Sequence, residues 1–474
     1  MAAPGAGPPQ ARHSQSPAGR ETAEPTSPPH AEKATGGKHA ILYAWEFGAN
    51  LGHIGTFLPL AQALRERGHT VHWVVAHPHQ AARLLPAAGF AWLQAPLFPE
   101  LRQANPPINY ADILLRFGYG QAADLLGPIT AWRELLRLTR ARLVLADHAP
   151  GAILAARTLG VPVMLFGSGF FAPPQVTPTP NLRPWLVVPE QRLAEADAQA
   201  LSSMNAVLAR FGQPPLESVA ALFRVAEDTL LTFPELDHYA SRGPARYWGT
   251  LPAAVAAAPV WPDTSGPRVF AYLRPESAHF VAALEALHAS SASVLIFAPG
   301  AAPAVIARFG AAHLAFATAP VDLNLVARQA DAGVTYASPA ATIAFLLAGK
   351  PVLMLPGHLE QFLFAQRVVE MGAGLLQNPE QPPADLPAML ARVIHDPGLR
   401  ANAVAFADKY RNFDQSAVLR HLVQRIEELA ILELPPPFAP SRGGFLIRSL
   451  RPKEVQSRPK EMQSRANLDT MPDE

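Results

Sequence analysis

Two residues far apart in the chain have the chemistry of an oriented general base. His53 lies in the small-residue loop Gly48-Ala49-Asn50-Leu51-Gly52-His53-Ile54-Gly55. An imidazole titrates near neutral pH, and flanking glycines let a substrate come close to it. Asp147 ends the apolar run Leu143-Val144-Leu145-Ala146, the pattern of a buried strand. A carboxylate bonded to one ring nitrogen fixes the tautomer and stabilises the imidazolium formed on proton abstraction. Both residues also have ordinary readings: a histidine that packs or caps a βα turn, and an aspartate that N-caps the next helix. His148 is either a second partner or a surface residue.

Two later segments suit a phosphorylated sugar. In Tyr336-Ala337-Ser338-Pro339-Ala340-Ala341-Thr342, Ser338 at N-cap and Pro339 at N1 announce a helix. The amides of Ala340 and Ala341, with the Thr342 hydroxyl, would face a phosphate at its positive end. A well-capped buried helix is the plainer alternative. In Gly357-His358-Leu359-Glu360-Gln361, the acid–amide pair supplies the acceptors and donors that sugar hydroxyls need, although such pairs are common in loops.

The elements that must position these residues alternate. Strands are expected at Ala40–Trp45, Thr70–Val75, Leu143–Ala146 and Val161–Phe166, then at Arg268–Leu273, Ser293–Ala298, Leu314–Ala317, Ala332–Thr335 and Pro351–Leu355, with helices between. The first of these helices carries Phe57, Leu60, Ala61 and Leu64 on one face. Alternation of this kind predicts an α/β protein with doubly wound parallel sheets. The expected order is a first domain over 39–252, a linker over 253–267, a second domain over 268–415 and a last amphipathic helix over 416–432. Ligands of such sheets bind beyond the carboxyl ends of the strands, which places the site in a cleft between the domains. Residues 1–38 and 433–474 are poor in large apolar side chains and predict disorder. The second of these segments repeats Arg-Pro-Lys-Glu at 451–454 and 458–461.

Composition narrows the class. The chain has 474 residues, enough for two cores, with 39 basic and 38 acidic side chains and no cysteine. That balance disfavours a nucleic-acid binder, and the lack of cysteine excludes disulfides and thiolate chemistry. No apolar run is long enough for a membrane span and no secretory signal is read at the N-terminus, so a cytoplasmic location is expected.

Taken together, the order of elements resembles the GT-B-fold glycosyltransferases, the group that includes macrolide, flavonoid and glucuronosyl transferases. The resemblance covers roughly residues 39–430: Gly52-His53 with the helix ending Arg67-Gly68-His69, Leu145-Ala146-Asp147, the run Leu347–Pro356, Glu360-Gln361 and Gly372-Ala373-Gly374. It implies two Rossmann-like domains facing across a cleft, with the last helix returning to the first domain. It also implies His53 as base, Asp147 as its partner, Tyr336, Ser338, Ala340, Ala341 and Thr342 at the donor phosphates, and Glu360 and Gln361 at the donor sugar. The expected reaction is inverting, metal-independent transfer from a nucleoside-diphosphate sugar to a hydroxyl of a small molecule. No cofactor is expected, because the nucleotide sugar is a co-substrate. Trp45 and Phe170 are expected against an aromatic or lipid-like acceptor. The chain departs from the family in its donor loop, which usually reads HGGxxS/T. Tyr336 stands at the histidine and Ala337 and Ser338 at the glycines, while Ala344 replaces a ribose-binding glutamate and no uracil-stacking tryptophan is evident. Each missing polar contact removes about 1–3 kcal/mol. A non-catalytic homologue acting as a binding subunit is therefore the main alternative, with a sugar-nucleotide epimerase behind it.

Overall fold

Ile41-Leu42-Tyr43-Ala44-Trp45 is apolar on both faces, and all five residues are fully buried. Only a strand covered on both sides accommodates such a run. In the computed structural model, which describes residues 39–431 apart from 49–50, 102, 104, 254–255, 379–380 and 382–384, it is the central strand of a parallel sheet. This sheet comprises β1 (Ala40–Trp45), β2 (Thr70–Val75), β3 (Trp92–Gln94), β4 (Leu143–Asp147) and β5 (Val163–Leu165), in the order β3-β2-β1-β4-β5. A second parallel sheet comprises β6 (Arg268–Tyr272), β7 (Ser293–Phe297), β8 (Leu314–Phe316), β9 (Ala332–Thr335), β10 (Val352–Met354) and β11 (Gly374–Leu376), in the order β11-β10-β9-β6-β7-β8. The arm and tail expected at 1–38 and 433–474 lie outside the described residues.

Nine strands fall where the sequence pattern places them, some shortened by one or two residues at their ends. β3 and β11 were not expected. Each has three residues and is only partly covered, too short to display a period.

The period of two divides each sheet between two cores. Leu42, Ala44, Val144 and Ala146 face one side of the first sheet. Ile41, Tyr43, Trp45, Leu143 and Leu145 face the other, against Phe57, Leu60, Ala61 and Leu64 of the Gly52–Glu66 helix. The last helix, Gln415–Ile431, buries Leu422, Val423, Ile426 and Leu429 in that same cluster. Its Glu427 accepts two hydrogen bonds from Arg67 and lies 3.0 Å from His69, so this helix is fastened to the first domain. Phe233 and Leu236, within the range read as the first domain, are buried instead with Phe270 and Phe345 of the second.

Strand order fixes where ligands can enter. Moving outward from β1, the chain runs to β2 on one side and later to β4 on the other, so the winding reverses between β1 and β4. In the second sheet it reverses between β6 and β9. These reversals open crevices at the carboxyl ends of the strands. Trp45 pairs with Asp147 at the first, and Tyr272 with Thr335 at the second.

Candidate active site

His53 occupies the first turn of the Gly52–Glu66 helix, directly above the first reversal point. Its Nδ1 donates to Asp147 Oδ2 at 2.9 Å. The same oxygen accepts the Tyr43 hydroxyl at 2.7 Å. Asp147 is the last residue of β4 and is buried. It therefore caps no helix: Ala149 holds the N-cap position of the next helix, Pro150–Leu159. Hydrogen bonds to a charged group stabilise by roughly 1.5–3 kcal/mol each, so two donors hold this carboxylate firmly.

The imidazole is fixed from below as well. The Trp45 indole stacks on it at 4.8 Å between centroids, with its Nε1 donating to Phe47 O at 2.7 Å. Gly48 has φ +90°, and a Cβ there would lie 2.9 Å from His53 Nε2. Only glycine suits both the backbone and the space beside that nitrogen. Burial of the ring opposes its protonation. The charge of Asp147 and its hydrogen bond, aided by the charge of Glu360, outweigh burial and raise the His53 pKa above the ordinary imidazole value.

Glu360 belongs to the second domain, so its influence on His53 crosses the cleft. Its Oε1 accepts the Ser168 hydroxyl of the first domain at 3.2 Å. Desolvation, reinforced by the Asp147 charge, pushes the half-buried Glu360 up to about 7, against the opposing effects of His53 and the Ser168 bond. The structure thus brings His53, Asp147 and Glu360 into one electrostatic cluster. Gln361, beside it, holds the loop. It is buried, and its Oε1 accepts the Gly357 amide at 2.8 Å, which holds the turn that presents Glu360.

Several expected contacts are corrected. Trp45 is fully buried under His53 and offers no surface to an acceptor. Phe170 is also buried, edge-on to Phe171, while its carbonyl accepts the Tyr239 hydroxyl. Phe171 is the more open ring, tilted 6.2 Å from His53. The His148 ring stacks on Phe171 at 3.4 Å and is not the partner of His53. Burial, followed by the His53 charge, drives its pKa well down, so it stays neutral. At the donor loop, Ser338 holds the N-cap position of the Pro339–Leu347 helix, but its hydroxyl makes no capping bond. Thr342 is fully buried, with Oγ1 2.9 Å from Thr335 Oγ1. Its hydroxyl therefore supports the loop from within and cannot face a phosphate. Ala341 is buried and Ala340 exposed. Their amides precede the first helical bond, Thr342 N to Ser338 O at 2.9 Å, and so lie at the open end of the helix.

Three side chains escaped the sequence reading. Tyr43 shares a strand face with Trp45, a signal the period of two contains. Glu46 is a lone acid after an apolar strand, and it is buried with its carboxylate accepting the amides of Gly151 at 2.9 Å and Ala152 at 2.6 Å. That bond pair caps the Pro150–Leu159 helix and secures the turn from which Asp147 projects. Burial pushes its pKa up to about 8 despite those two bonds. Ser168, in a Gly-Ser-Gly turn, has no local signal at all.

With this geometry in place, likeness to known proteins is informative. No family model matches the chain. The UDP-N-acetylglucosamine–N-acetylmuramyl-(pentapeptide) pyrophosphoryl-undecaprenol N-acetylglucosamine transferase of Polaromonas sp. (strain JS666 / ATCC BAA-500) is 39% identical over 92 residues, covering 18% of this chain and 21% of that protein. The chain thus matches about a fifth of the relative's length. Solved structures align far more widely. The glycosyltransferase VinC in complex with dTDP is 21% identical with a TM-score of 0.57, covering 82% of this chain and 99% of its own. The calicheamicin glycosyltransferase CalG4 is 20% identical with a TM-score of 0.59, covering 82% and 98%. The Streptomyces sp. SF2575 glycosyltransferase SsfS6, complexed with thymidine diphosphate, is 17% identical with a TM-score of 0.56, covering 82% and 99%. The chain has the two-domain GT-B fold of these glycosyltransferases. Among the described residues no helix is long and apolar enough to cross a membrane.

Proposed function

We propose that this chain is an inverting, metal-independent glycosyltransferase that moves a sugar from a nucleoside-diphosphate sugar to a hydroxyl of a small natural-product or lipid-like acceptor. The observation that carries the reading is the His53–Asp147 pair, 2.9 Å apart at one reversal point and coupled in charge to Glu360 of the facing domain. His53 Nε2 takes the proton of the acceptor hydroxyl while that oxygen bonds the anomeric carbon. The bond from that carbon to the diphosphate oxygen breaks, and the nucleoside diphosphate leaves. Asp147 supports the imidazolium, itself steadied by Tyr43. Glu360 lies where it can hold a sugar hydroxyl and set the line of attack. The helix end at Ala340 and Ala341 faces the charge that develops on the leaving group. No divalent ion is needed in this scheme, because protein groups meet each developing charge.

The degenerate donor loop favours one competing reading, a homologue that binds nucleotide sugars without turning them over. Release of nucleoside diphosphate from uridine-, thymidine-, guanosine- and adenosine-diphosphate sugars, with water or a panel of phenols and alcohols as acceptor, separates the two. Transfer that disappears in His53→Ala, with donor binding kept within a few-fold, supports the enzyme. A product with inverted anomeric configuration supports the single displacement. Binding of a nucleotide sugar with neither hydrolysis nor transfer supports the binding subunit. Activity undiminished in His53→Ala removes His53 as base.

A further inference from the structure

The second reversal point carries a cation that the motif pattern does not call for. β6 ends at Tyr272, and Leu273-Arg274 follow at its carboxyl end. The Arg274 guanidinium lies 4.8 Å from the centroid of the Tyr336 ring, and its Nη2 is 3.4 Å from the Tyr336 hydroxyl. Tyr336 is in turn set edge-on to Tyr272 at 4.9 Å, and its amide donates to Tyr272 O at 3.2 Å. The Arg274 side chain is only 21% exposed. The carboxylate beside it, Glu276, is 4.0 Å away and 73% exposed, too distant and too solvated to neutralise it.

A guanidinium withdrawn from water with no close counter-charge is costly, and an anion in the crevice removes that cost. The loop around it keeps a demanding backbone. Ala337 retains φ +60°, a left-handed conformation that glycine fits and alanine tolerates poorly. We propose that Arg274, braced on the face of Tyr336, is the diphosphate-binding cation of this chain. Arg274 supplies planar, paired donors to two phosphate oxygens, and this arrangement stands in for the histidine and glycines of the usual loop. The inference rests on the nucleotide-sugar reading above and deepens it.

Calorimetric titration of the full chain with uridine, thymidine, guanosine and adenosine diphosphates, their nucleosides and inorganic pyrophosphate tests it. For the nucleoside diphosphate that binds, Arg274→Ala should weaken affinity at least tenfold, Arg274→Gln by a similar factor and Arg274→Lys by less. The affinity of the matching nucleoside should stay unchanged in all three. If Arg274→Ala is unstable, Arg274→Lys and Arg274→Gln carry the same comparison. Equal diphosphate affinity in the wild type and every Arg274 variant overturns the assignment while leaving the donor reading intact. Pyrophosphate binding that depends on Arg274, with no nucleoside diphosphate bound, supports the assignment and overturns the donor reading. Silence of the wild type toward every phosphorylated probe overturns both.

Discussion

Replacing Tyr43 with phenylalanine isolates the third member of the His53–Asp147 cluster, and its consequences follow from two distances. The hydroxyl donates to Asp147 Oδ2 at 2.7 Å and lies 3.0 Å from the His53 carbonyl. Phenylalanine keeps the ring, which stacks on Phe57 at 4.2 Å and meets Trp73 edge-on at 5.0 Å, so no cavity opens. What is lost is one hydrogen bond to a buried carboxylate, about 1.5–3 kcal/mol. The melting temperature should fall accordingly. The second consequence has the opposite sign at the imidazole. Asp147 deprived of one donor concentrates its charge on the other, His53 Nδ1, and holds the imidazolium more tightly. The His53 pKa, already raised by Asp147 against the opposing effect of burial, should rise further. Nuclear magnetic resonance titration of the His53 ring protons, assigned against His53→Gln, measures this without any substrate. In turnover, the acid limb of the pH profile should move up by the same amount. An unchanged or lowered His53 pKa, with stability intact, refutes the proposed coupling.

The remaining expectations concern charge and backbone around the same site. Glu46 has a folded pKa of about 8 against an ordinary 4.5, so the folded chain holds its proton longer and stability falls as pH rises through that interval. Glu46→Gln should flatten the decline in melting temperature between about pH 5 and pH 8, and an identical slope would show that the carboxyl does not titrate there. Ala337, at φ +60° and fully buried, should accept glycine within about 1 kcal/mol, because relieved strain offsets the lost methyl and added chain entropy. Ala337→Val should cost more than about 2 kcal/mol; chemical denaturation giving equal stability for the two variants would contradict the left-handed assignment. Glu360→Gln should abolish any alkaline limb in kcat near pH 7, where the carboxyl loses its proton. A limb that persists in the variant belongs to another group.

The fold was legible because its signals are local and repeated. β1 and β4 follow from apolar runs, and Phe57, Leu60, Ala61 and Leu64 mark the buried face of the first helix, all fully buried as their spacing requires. Proximity across the chain is a different kind of information. His53 and Asp147 are 94 positions apart, and only the parallel pairing of β1 with β4 brings them together. The sequence offered both as candidates through residue type and place at a strand end. It offered aromatic residues as acceptor contacts by type alone, and there it failed: Trp45 and Phe170 are large and apolar, and the core claimed them. Thr342 failed for a related reason, since its hydroxyl finds a buried partner in Thr335. Arg274 carries no motif, so only its position above Tyr336 makes it visible.

The protonation of the cleft follows from its charge arrangement. Asp147 and His53 form a pair of opposite sign, and Glu360 adds a second carboxyl in the same confined space. A third ionised group there meets the attraction of His53 but also the repulsion of Asp147 and the loss of water. Desolvation dominates, and Glu360 holds its proton to about pH 7. In that state it has an O–H to give and a carbonyl oxygen that accepts from Ser168, whereas an ionised carboxylate only accepts. A sugar hydroxyl presents both functions, so the neutral acid can engage either one. In this neutral form Glu360 leaves Asp147 as the charge that faces His53. The cluster is therefore one in which a neutral Glu360 sits beside a His53 whose pKa the Asp147 charge raises against burial.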